Sequence, residues 1–147
     1  MTATGQLTGM LHRLPTEAPW RAGPSFSLRL FDELTQKRLA YYPRATEALV
    51  FAEGHLPDVP PLRAVASYVG MTPAAFSRYF KAKINMTFAH ALRTLRVTRA
   101  LSELERRECA IEFLANHCGY SSGCSFTRAF KDVLGETPSE YRRRLLS

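Results

Sequence analysis

Acidic side chains are missing from the whole stretch between Asp58 and Glu103, where seven Lys or Arg fall: Arg63, Arg78, Lys81, Lys83, Arg93, Arg96 and Arg99. Residues 1–61 carry six basic and six acidic side chains, whereas residues 62–147 carry fourteen and seven, so the second part supplies the whole net charge of +7. A one-signed field of this kind draws polyanions, either nucleic acid or an anionic membrane surface, and charge alone does not choose between them. Other absences are sharper. No run of eighteen apolar residues exists to span a bilayer. The first residues, Met1 to Gln6, have neither the basic start nor the following apolar run of a secretory signal, so a cytoplasmic protein is expected. The three cysteines, Cys109, Cys118 and Cys124, are odd in number and fit neither a disulfide framework nor a zinc spacing. They read as reduced thiols, with no metal and no cofactor. Serine–histidine–carboxylate and Gly-rich phosphate motifs are also lacking, which argues against an enzyme.

What is present is a repeat. Leu62, Val65, Ala66, Val69 and Gly70 recur forty-nine residues later as Ile111, Leu114, Ala115, Cys118 and Gly119. Phe76, Arg78, Phe80 and Lys81 recur at an offset of fifty as Phe126, Arg128, Phe130 and Lys131, and Asn85 and Thr87 answer to Gly135 and Thr137. One residue inserted near Ser122-Gly123 accounts for the change of offset. Each copy reads as a short helix, a tight turn at Gly70 or Gly119, and a second helix. Thr72 before Pro73, and Ser121-Ser122 in the second copy, are helix starts. Phe76 and Phe80, like Phe126 and Phe130, bury the second helix against the first. The opposite face keeps Ala74, Ser77, Arg78 and Lys81 in one copy and Gly123, Cys124, Ser125, Thr127, Arg128 and Lys131 in the other. Small or hydroxylic residues at the N-terminal end let a helix approach base edges, and Arg grips guanine. A helical hairpin with merely solvated Arg and Lys is the bland alternative; duplication on a basic background favours a reader of double-stranded DNA.

Around the repeat, residues 1–24 form a loose arm rich in Gly and Pro. A helix is expected from Ser25 to Lys37, capped by Ser25 or Ser27, with Leu28, Phe31 and Leu34 on one face. Pro43 opens another, with Ala45, Leu49, Ala52 and Leu56 inward, and Pro57, Pro60 and Pro61 end it. Thr87 to Glu105 keeps a helical period; roughly eighteen residues at ~1.5 Å give a rod of about 27 Å. Such a rod could hold two reading helices near one DNA turn apart, about 34 Å. The expected fold is all-α: two helix-turn-helix subdomains joined by a central helix, about seven helices over residues 43–147, preceded by an N-terminal extension, residues 1–42.

Gly119 to Lys131, with Gly135-Glu136-Thr137-Pro138 and Tyr141-Arg142 after it, resembles the signature of the AraC/XylS family of bacterial transcription regulators. Gly70-Met71-Thr72 with Phe76-Ser77-Arg78-Tyr79-Phe80-Lys81 is similar to that family's first motif. Tyr120 stands where Phe is usual, Asn85 where Gly is usual, and Gly123 and Cys124 where relatives often carry polar base readers. The resemblance implies base reading by Ala74, Ser77 and Arg78 in one groove and by Gly123, Cys124, Ser125 and Arg128 in the next. It implies phosphate contacts at Thr72, Lys81, Thr87, Arg93, Thr127, Lys131, Thr137 and Ser139. It also implies regulation of transcription, more often activation than repression, with RNA polymerase as a partner. No membrane partner is expected, and the chain would be a monomer or a weak dimer through its extension. A module binding an acidic protein instead of DNA stays open at this point; the salt dependence and sequence selectivity of duplex binding would separate the two.

Overall fold

A computed structural model describes residues 27–106 and 109–146, which form eight helices and no strand. They are α1 (Glu33–Tyr41), α2 (Pro43–Gly54), α3 (Leu62–Tyr68), α4 (Pro73–Ile84), α5 (Phe88–Arg106), α6 (Ile111–His117), α7 (Gly123–Leu134) and α8 (Pro138–Leu146). The last seven are the helices expected beyond residue 43. Their ends follow local chemistry. Thr72 caps α4 and Ser122 caps α7, each hydroxyl accepting at 3.2 Å from the backbone N–H three residues on. α4 closes on Asn85 at φ 69° and α7 on Gly135 at φ 82°, the left-handed residue that lets the chain leave a helix sharply.

The first helix departs from the expected Ser25–Lys37. Asp32, not a serine, caps α1, its carboxylate accepting from the Thr35 N–H at 2.7 Å. Ser27 spends its hydroxyl on the Arg29 N–H at 3.2 Å, and Phe31 N–H bonds to Leu28 carbonyl at 2.9 Å to close a turn. Leu28 and Phe31 therefore reach the core from a turn, while Leu34 is 58% exposed. Ser25 and the arm of residues 1–24 lie outside the described residues.

Two hydrophobic cores share one helix. Phe88, Ala91, Leu92 and Leu95 of α5 pack into the first core with Leu49, Val65, Phe76 and Phe80. Val97, Ala100, Leu101 and Leu104 turn to the second, with Leu114, Cys118, Phe126 and Phe130. The four repeat phenylalanines are wholly buried, each contributing about 1.5–3 kcal/mol by leaving water. Ala66 and Ala115, each four residues before its turn glycine, are buried too, whereas Leu62, the first position of the repeat, is 40% exposed.

Further contacts tie the units together. Leu28 touches the first core and Leu30 the second, so residues 28–31 strap both. Arg29 pairs with Glu105 at 2.7 Å, and Glu105 also accepts from the Tyr141 hydroxyl at 2.7 Å. Burial pushes the Glu105 carboxyl up, but these donors outweigh it and hold it below the ordinary range. Arg96 donates to the carbonyls of Cys118 at 2.9 Å and Gly119 at 2.6 Å, with its guanidinium 3.8 Å above the Tyr120 ring. Arg99 reaches the Glu53 carbonyl at 3.2 Å and its carboxylate at 3.4 Å. Both arginines counted in the one-signed field are thus spent on holding helices. No helix among the described residues is long and apolar enough to cross a membrane.

Candidate nucleic-acid interface

α4 and α7 hold equivalent places in the two units, each anchored on its phenylalanine pair with its other face turned outward. On α4, Ala74, Ser77, Arg78 and Lys81 are all exposed, and Pro73 starts the helix. On α7, Cys124, Arg128 and Lys131 are exposed, while Gly123, Ser125 and Thr127 are half-buried. Arg78 and Arg128 make no ion pair or hydrogen bond among the described residues, none of which takes up their donors. An unspent guanidinium on the outward face of a helix can fork onto an acceptor pair. Ser125 is less available, because its hydroxyl already accepts from Ser122 at 3.2 Å.

Three of the expected phosphate residues sit at helix starts. Thr72 caps α4, Thr87 accepts from the His90 N–H at 3.1 Å, and Thr137 accepts from the Glu140 N–H at 3.1 Å. The Thr137 N–H returns a bond to the Glu140 carboxylate at 2.8 Å, a reciprocal cap. That backbone bond, with the Thr137 hydroxyl, holds the Glu140 carboxyl below its ordinary value. Ser139 is exposed in the first turn of α8. Arg93, on α5, stands 3.9 Å from Asp132 of α7, so its charge is shared with a neighbour. Lys83 lies 5.5 Å over the Tyr42 ring and Arg63 is exposed. The Tyr-Arg of the signature is structural: Tyr141 bonds Glu105, and Arg142 donates to the Cys109 carbonyl.

The thiols differ. Burial pushes Cys118 up to about 12, so it is a protonated core residue, while Cys124 is exposed and Cys109 half-buried. Among the described residues no three His, Cys, Asp or Glu gather in a metal-binding group. Sequence reading missed one neighbour of the interface. Glu112 of α6 sets its carboxylate against Gly123, the first residue of α7, where an added Cβ would collide with it. The signal was in the repeat, whose offset pairs Glu112 with Arg63 and so reverses the charge at one place.

Comparison with known proteins gives a consistent picture. The sequence model of a family described as a helix-turn-helix domain matches residues 65–144. The transposon Tn10 TetD protein of Escherichia coli is 36% identical over 100 residues, 68% of this chain and 72% of that protein. An HTH-type transcriptional regulator of Staphylococcus aureus is 32% identical over 92 residues; the match takes 63% of this chain and spans only 12% of that regulator's length. Among solved structures, an AraC-type regulator from Chromobacterium violaceum superposes with a TM-score of 0.67 at 26% identity, covering 72% of this chain and 95% of that one. The DNA-binding domain of AdpA, a global transcriptional factor solved with a target DNA, gives 0.63 at 26% identity over 69% of this chain and 91% of that one.

Proposed function

The chain belongs to the AraC-type family of helix-turn-helix proteins, and on that premise we propose that it is a sequence-specific DNA-binding transcription regulator rather than an enzyme. It sets α4 and α7 into successive major grooves on one face of the duplex. Ala74, Ser77 and Arg78 read one box, and Cys124, Ser125 and Arg128 the other. Gly123 lets α7 come close. Thr72, Thr87, Thr137 and Ser139 offer helix starts or hydroxyls to phosphate, with Lys81, Arg93, Thr127 and Lys131 beside them. The carrying observation is the pair of exposed arginines, without a partner among the described residues, at repeat-equivalent places on two buried-anchored helices. RNA polymerase is the further partner of this reading, and activation its direction of control. A single copy suffices for a two-box site, so no dimer is required.

The test is selection of bound sites from a random duplex pool at fixed salt. Two enriched boxes about one turn apart are expected. Arg78→Ala and Arg128→Ala should each cost about 1–3 kcal/mol and relax a different box. Equal affinity for all duplexes would reject the proposal in favour of an acidic protein partner, which the same exposed cations would suit.

A further inference from the structure

We infer that Glu112 is a specificity-determining residue of the second unit, accepting from a cytosine amino group through the notch that Gly123 leaves. The inference rests on the two-groove reading above. The first helix of a helix-turn-helix unit ordinarily crosses the DNA backbone rather than the bases. At its second residue the first copy carries Arg63, a charge suited to phosphate, and the second carries Glu112. A carboxylate there repels phosphate and cannot do the same work. Its side chain instead lies against the start of the reading helix. Pro73 begins α4, but Gly123 begins α7, and a Cβ there would push the exposed Glu112 carboxylate out of its present place. Glu112 is exposed and forms no ion pair among the described residues. A groove of about 410 Å³ opens beside it, lined by Glu112, Asn116, Tyr120 and Ser121 among others.

Ligand chemistry then selects the base. A carboxylate only accepts, so it needs a donor, and the major-groove donors are the amino groups of cytosine and adenine. Adenine places its N7 acceptor beside that amino group, which repels a carboxylate. Cytosine presents the amino group alone. The side chain that Gly123 lacks is thereby supplied from α6.

Site selection is repeated with the wild-type chain, Glu112→Gln and Gly123→Ala, with the second box identified as the one that Arg128→Ala relaxes. The wild type should enrich cytosine at one position of that box by about tenfold over the other bases. Glu112→Gln should shift that position towards adenine, whose N6 and N7 suit an amide. Gly123→Ala should lose the cytosine preference with no change in net charge, because its methyl group displaces the carboxylate. Thermal unfolding of Glu112→Gln should match the wild type, since the residue is exposed. Identical enriched bases for all three proteins would overturn the role of Glu112 while leaving the two boxes standing. No enriched sequence with the wild type would overturn both.

Discussion

Gly70 and Gly119 occupy the same place in the repeat and nearly the same backbone, at φ +79° and +87°. Their surroundings differ. A Cβ on Gly70 would meet open space, whereas one on Gly119 would press on the Pro57 backbone carbonyl in the linker between α2 and α3. Gly70→Ala should therefore cost only left-handed strain, about 1–2 kcal/mol. Gly119→Ala adds a backbone collision and should cost about 3 kcal/mol or more. Urea unfolding of the two variants measures the difference; equal losses would mean that the linker yields freely. The same turn also receives Arg96, whose planar fork joins two carbonyls at once and lies flat on Tyr120. A lysine there could not reproduce both bonds and the stacking.

Helix starts are one place where pH reaches this fold, beside the Glu105 carboxylate near the end of α5. Hydrogen bonds from Thr35 hold Asp32 below its ordinary 3.8, and bonds from Thr137 hold Glu140 below its ordinary 4.5. The folded chain thus binds fewer protons than the unfolded one in this range. The caps contribute fully above those ordinary values and are lost as pH falls through the lower folded ones. Melting temperature followed by circular dichroism should decline as pH drops below about 4.5, and less steeply in Asp32→Asn and Glu140→Gln. Unaltered steepness in both variants would assign the acid loss elsewhere. Helix starts with a hydroxyl or proline signal were legible in the sequence: Thr72-Pro73 marks α4 to the residue, Ser121-Ser122 marks α7 to within one, and Pro43 marks α2. α1 was misplaced because hydroxyl caps and apolar spacing do not reveal which polar residue wins; Asp32 outcompeted Ser27, Leu28 and Phe31 belonged to a turn, and Leu34 falls on the exposed side of α1. The outward faces of α4 and α7 were legible through periodicity. Arg96 and Arg99 were not, because their partners lie twenty-two and forty-six residues away in sequence. Glu112 was hidden for the same reason, since its notch is made by another helix.

At the scale of the molecule the decisive object is α5, 19 residues long, or about 28 Å. Both cores grip it, and residues 28–31 brace them from outside. Such a frame should tolerate one separation between boxes. Inserting five base pairs between the selected boxes turns the second to the far face of the duplex. Affinity should then fall to that of a single-box site, and the slope of log affinity against log salt should shrink by the phosphate contacts of the lost unit. Retained affinity would show that the units swing independently. The shared helix also works as a gear. Leu95 is the last α5 side chain in one core and Val97 the first in the other, with one residue between them. Each residue gained or lost at that seam would rotate one reader against the other by about 100°, whereas each base pair rotates DNA by only about a third of that. The two pitches do not mesh in single steps. On the two-box reading, side chains on α4 and α7 can change the letters one at a time, while the interval between the words is set by α5.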